Sequence, residues 1–228
     1  MSLPFSIEQF LDIFEKYNRS VWPLQLIFYL MAVLIIGLSF VKFRSSDRVI
    51  VSLLSFFWIW MGAIYHLVYF TAINKAAFIF GATFILQGIL FFYLGVIKNQ
   101  ISISFSKNIE GMAGSVLIIF ALIIYPIVSI IQGHIYPASP TFGLPCPTTI
   151  FTFGLLLWMD NKCPLNILVI PFLWSILGFS AAVSLGVYED IGLLVAGLLT
   201  ISMILIRNRK AAILEHSSMV PDILTGLK

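Results

Sequence analysis

Runs of about 20 apolar residues recur along the whole of this 228-residue chain, and no other feature narrows its fold so far. A helix needs that many residues to cross a hydrocarbon layer about 30 Å thick. The composition agrees: 60% of residues are hydrophobic and 10% charged, where a soluble domain carries about one quarter charged. The expectation is an all-α membrane protein whose expected partner is the lipid bilayer, with little chain left for a soluble domain. A net charge of +3 then reflects loop topology. No basic patch with interleaved aromatics appears, which argues against a nucleic-acid partner. Residues 1–21 mix acids, bases and polar groups, and the first apolar run is too long for a signal-peptide core, so the first span is expected to act as its own insertion signal.

Three regions are expected: an amphipathic N-terminal helix in 1–21, a seven-helix transmembrane domain in 22–206, and a cytoplasmic tail in 207–228. In the first, Ile7, Phe10, Leu11 and Phe14 follow i, i+3, i+4, i+7 spacing. Ser6 and Gln9 fit a capping box. Such a helix lies flat in the membrane interface or packs as a cap over the helix ends. The seven spans are placed at Trp22–Val41, Val49–Phe70, Ala76–Ile97, Gly114–Gln132, Thr148–Met159, Leu165–Leu185 and Ile191–Ile206. The fifth is short, about 18 Å of helix. Residues 133–147 before it are uncharged and hold four prolines. Irregular backbone at membrane depth survives only when buried in protein or lining a cavity, so this stretch is either a re-entrant loop or a plain external one.

The Lys and Arg distribution orients the chain. Lys42, Arg44, Arg48, Lys98, Lys107, Lys162, Arg207, Arg209, Lys210 and Lys228 fall on one side, and Lys16, Arg19 and Lys75 on the other. The N-terminus is therefore expected outside and the C-terminus in the cytoplasm. Cys146 and Cys163 fall on opposite sides, too few and too far apart for a disulfide framework.

Polar and ionisable residues within the apolar region gather at the outer ends, where they need partners or a function. His66 lies roughly 6 Å below the interface, beside Tyr65 and Tyr69 and above Trp58 and Trp60. It can bind metal or haem or shuttle protons, or hydrogen-bond a neighbouring helix. His134 ends the fourth span at the same depth. With Asp190, the two histidines would form a His-His-carboxylate zinc set with an open position, although no local spacing such as HExxH enforces it. Asp190 more readily caps the seventh span, and Glu189 beside it stays open. Cys146-Pro147-Thr148-Thr149 reads as a helix start, with Cys146 as N-cap and Pro147 at the first helical position. That terminus can lower the thiol pKa or hold an anion, with turn chemistry as the simpler role. Asn74 and Tyr136 complete the outer candidates. Gln87 is expected to make an interhelical hydrogen bond, and Pro126 and Pro171 to kink their helices. No acidic or basic residue is expected mid-membrane. This argues against an ion pump with a carboxylate relay, and no lysine in the last span offers a retinal Schiff base.

The segments SLPFSIEQFLDIFEKYN, VWP, WMGAIYHLVYFTAINKAAFIFG, YPIVSIIQGHIYPASPTFGLPCPTTIFTFGLLL and GVYEDIGLLVAG resemble a bacterial membrane family of unknown function, numbered 6064, from about residue 2 to residue 200. The resemblance implies a polytopic protein of the bacterial inner membrane and carries no established activity. Residues inside these motifs include Trp60, Tyr65, His66, Asn74, His134, Tyr136, Pro137, Cys146, Pro147, Thr148, Thr149, Glu189 and Asp190. The favoured function is an outward-facing polar pocket for a small ligand or metal, in a sensing, binding or accessory role. One rival is a membrane-face enzyme using zinc or haem at His66 and His134. Another is a small-solute transporter or channel. Ligand identity and oligomeric state are not legible.

Overall fold

The structure, a computed structural model, describes residues 4–160 and 162–225, with side chains through Ile213. Helix α1 (Ile7–Val21) begins at the expected capping box: Ser6 Oγ accepts from Gln9 N–H, and Gln9 Oε1 accepts from Ser6 N–H at 2.9 Å. Its apolar face (Phe10, Ile13, Phe14, Tyr17, Val21) is buried against Tyr65, Phe70, Ala77, Leu144 and Val187. These belong to several separate helix ends. α1 meets α2 (Leu24–Phe40) at 85°, so it lies across the end of the bundle as a cap.

Among the described residues, five helices are long and apolar enough to cross a membrane: α3 (Ser46–Ala72), α4 (Ala77–Ile97), α5 (Ile109–Ile131), α7 (Asn166–Leu185) and the Tyr188–Ile213 stretch opening the last helix, α8. A sixth is counted if α1 and α2 form one bent span. α2 has 17 residues, and α6 (Pro145–Leu157) has 13. These two are the expected spans that fall short by length. α8 continues from Ile191 to Thr225, past the Ile206 boundary expected from the sequence. The only β pairing among the described residues is two isolated bridges.

α6 occupies the centre. Every residue of it except Cys146 is buried, which suits a helix that is apolar on all sides. It approaches α5 backbone to backbone: a Cβ on Gly154 would stand 2.7 Å from Gly114 O. Trp58 Nε1 donates to Thr152 Oγ1 at 3.1 Å, and Trp158 Nε1 to Gly111 O at 2.8 Å. The proline-rich segment before α6 is packed into the protein. Phe142 contacts the rings of Tyr29, Phe57 and Phe151. Asn18 of α1 holds the segment, donating to Pro137 O at 2.7 Å and Ser139 O at 2.8 Å and accepting from Thr141 Oγ1 at 2.9 Å.

The end opposite α1 carries an ionic network of its own. Lys42 reaches Asp47 and Asp160, Ser102 bonds both acids, and Asn208 brackets Cys163 with two hydrogen bonds. The Cys163 thiol is pushed up to about 12 by burial, with Arg207 opposing the shift.

Prolines within helices are accommodated in two ways. In α5 a π-helical turn, Phe120–Ile124, precedes Tyr125-Pro126 and takes up the missing N–H. In α7, Pro171 frees the carbonyl of Ile167 four residues earlier, and Gln87 Nε2 of α4 donates to that oxygen at 3.0 Å. The expected interhelical bond of Gln87 therefore serves a carbonyl that proline has released. Gln87→Leu should cost about 1–3 kcal/mol by leaving that oxygen without a donor. In a Pro171→Ala background, where the helix can make its own bond, the cost should largely vanish. Equal losses in both backgrounds, measured by denaturation in detergent, would refute the pairing.

Candidate functional site

Beneath α1 lies a cavity of about 130 Å³. α1 covers it with Phe10 and Phe14. α3 contributes Tyr65 and Phe70, α4 Phe80, and α7 Trp174, Gly178 and Ala181. Asn74, Cys146, Tyr125 and Asp190 add the polar groups. The end of α3 reaches the cavity through a π-helical segment, Met61–Tyr69. Such widened turns recur at functional sites, and this one carries both Tyr65 and His66. Tyr65 stands edge-on to Tyr17 of the cap, ring centroids 5.6 Å apart. Trp60 Nε1 donates to Tyr17 Oη at 2.9 Å, a second tie between cap and bundle. Asn74 Oδ1 accepts from Ala76 N–H at 3.0 Å, closing the turn into α4.

Asp190 is 4% exposed. Its carboxyl accepts a hydrogen bond from Tyr125 Oη rather than turning back to cap its own helix, as the sequence favoured. The Cys146 thiol lies beside this carboxyl and beside the Trp174 indole. The helix starts two residues earlier than the sequence suggested, with Leu144 as N-cap and prolines 145 and 147 in its first turn. Prolines cost little there, since first-turn N–H groups have no partner within the helix.

The remaining candidates lie elsewhere. His66 is fully buried (0% exposed), packed against the rings of Phe84 at 4.6 Å, Trp174 at 5.1 Å, Phe70 and Phe80. Neither of its ring nitrogens has a hydrogen-bond partner. It stands behind the cavity wall that Trp174, Phe70 and Phe80 form. His134 pairs with Glu189, Nδ1 to Oε1 at 3.3 Å. Tyr136 is half-exposed, edge-on to Trp22, and Pro137 offers its carbonyl to Asn18. Thr148 Oγ1 accepts from Gly143 N–H at 3.1 Å, while Thr149 Oγ1 is buried without a partner.

The model of a family of unknown function, DUF6064, matches residues 7–215. The chain belongs to that family. No curated protein and no solved structure matches it. The family match runs from the first residue of α1 into α8, and so includes most of the residues that line the cavity.

The His66–His134–Asp190 metal set does not assemble. Among the described residues, no three His, Cys, Asp or Glu side chains gather to hold an ion. Equal depth along two helices did not bring the histidines together: one faces an aromatic cluster and the other an acid at a helix start. Haem fits no better, because a porphyrin exceeds a cavity of about 130 Å³ and neither histidine lines it. The structure instead adds residues the sequence did not single out as a site. These are Tyr125, next to the helix-kinking Pro126, and Trp174. A signal for Trp174 does exist: with Gly178 and Ala181 it forms an i, i+4, i+7 face in which one large ring stands over two small residues.

Proposed function

We propose that this is a bacterial inner-membrane protein that holds a small ligand beneath α1, at the outer end of seven spans, in a sensing, binding or accessory role. The cavity carries the reading, because it draws Tyr65 and Asn74, Cys146, and Asp190 from three distant stretches of chain into one partly enclosed space. Enclosed, mostly apolar pockets with a few convergent polar groups are the usual form of small-molecule sites. In this reading α2 to α8 cross the bilayer, α6 being completed by the packed segment 133–144. The Lys and Arg distribution puts α1 outside, where its charged face meets water while its apolar face covers the pocket. A transporter reading draws on the same buried irregular segment. It is weakened by Gln87, which is tied to Ile167 instead of lining a polar route inward.

Thiol labelling tests pocket and orientation together. In intact cells, externally added trimethylammonioethyl methanethiosulfonate, a membrane-impermeant cation, should modify Cys146 slowly. Phe10→Ser with Phe14→Ser should speed the reaction by opening the cap, and Ala181→Leu should slow it by filling the space. Cys163, buried at the opposite end of the bundle, should stay silent. A cysteine at Ser2 should label from outside, and one at Lys210 only after permeabilisation. Labelling of Cys146 from the cytoplasmic side alone, or indifference to both cavity changes, would sink the reading.

A further inference from the structure

We propose that the ligand taken beneath α1 is a small organic ammonium cation, an inference that rests on the pocket reading above and adds the chemistry of its occupant. The first observation is charge. Among the described residues lining the cavity, Asp190 is the one ionisable acid or base of the Asp, Glu, Lys, Arg and His types. A second acid, Glu189, is buried next to it at 1% exposure. The carboxyl of Asp190 has the Tyr125 hydroxyl and the Cys146 thiol beside it and the Glu189 carboxyl near it, with no counter-charge lining the cavity among the described residues. Burying a carboxylate without a counter-charge is costly. An entering anion would raise that cost, whereas an entering cation offsets it.

The second observation is the wall. Phe10, Phe14, Tyr65, Phe70, Phe80 and Trp174 line the space from four helices. Aromatic faces attract cations through their quadrupoles, most strongly where water is excluded, and rings grouped around one site are the usual means of holding alkylammonium groups. Shape agrees with charge. An apolar cavity of ~150 Å³ takes a molecule the size of benzene, so about 130 Å³ admits a compact cation of a few carbons and excludes large ones.

The third observation disposes of the anion alternative at its strongest point. The start of α6 faces the cavity through Leu144, Pro145, Cys146 and Pro147. Helix starts bind anions through free N–H groups, and two of the residues here have none. The start of α8 already has the Asp190 carboxyl beside it. Neither terminus offers an anion a set of donors.

The test compares two probes of nearly the same shape, choline and its uncharged carbon analogue 3,3-dimethylbutan-1-ol, by calorimetry on the full-length protein in lipid nanodiscs. Choline should bind at least about tenfold more tightly than the analogue, as desolvated cation–π contact predicts, and tetramethylammonium should compete with it. Asp190→Asn should remove the preference, while Ala181→Leu should abolish binding of both probes. If Asp190→Asn does not fold, Tyr65→Leu and Trp174→Phe should each narrow the preference. Equal binding of both probes, or tighter binding of the analogue, overturns the cation and leaves the pocket intact. Binding of neither probe overturns the cation as well, and the thiol labelling above then decides whether the pocket itself stands.

Discussion

Gly154→Leu should leave little folded protein, with a loss above about 3 kcal/mol, the upper range for overpacking. α6 is buried on every side, so it has no face toward which to retreat. A Cβ at position 154 would already stand 2.7 Å from both Gly114 O and Ile118 Cγ1, and the first of these is backbone. Leucine adds three more carbons in the same direction. Separating α5 from α6 would also pull Trp158 from the Gly111 carbonyl it bonds at 2.8 Å. Gly37→Leu is the control, because nothing lies within 4 Å of a Cβ there, and it should melt like wild type. Thermal unfolding followed by size-exclusion in detergent reads both variants. A Gly154→Leu protein with an unchanged melting temperature would mean that the central placement of α6 is wrong.

Asn18→Ala should be nearly as damaging, at about 3 kcal/mol or more. The residue is fully buried and satisfies three groups of the proline-rich segment at once. Its removal leaves the carbonyls of Pro137 and Ser139 and the hydroxyl of Thr141 without their partner, each at roughly 1–3 kcal/mol if still buried. Asn18→Asp separates bonding from volume. Aspartate has the same shape and cannot donate to the two carbonyls when ionised, so it should fail alongside alanine. The segment 134–144 should also become sensitive to limited proteolysis in both variants, since Asn18 ties it to α1. If Asn18→Asp melts like wild type, the amide is not what holds the segment in place.

Much of the helical layout was legible in the residues. Ser6 and Gln9 announced the start of α1, and the periodicity of Ile7, Phe10, Leu11 and Phe14 announced its apolar side. The long apolar runs located the helices to within a few residues, apart from the extension of α8 beyond Ile206. The odd stretch 133–147 was recognisable by its prolines and its lack of charge. Gln87 was recognisable as a lone amide in an apolar helix. These signals are local: each concerns a cap, a period or a composition that a single segment carries in itself.

The site was legible only in part, and the division has one physical cause. In a soluble helix the polar face meets water and the apolar face meets protein, so periodicity says which side packs. In a membrane helix lipid and protein core are equally apolar, so the pattern around Trp174 or His66 looks the same whether it faces a chain or a lipid. Depth along a helix could be read from the sequence, which is why Tyr65, Asn74, Cys146 and Asp190 were found at one end. Rotation about the helix axis could not. His66 and His134 therefore share a depth without sharing a site, and Tyr125 and Trp174 joined the cavity unannounced. Sequence alone determined most of the helices, the cap of α1 and the level of the polar residues. Which side chains meet at that level was decided by close helix–helix approach at glycines, by the bond network of Asn18 and by the 85° turn that lays α1 across the bundle.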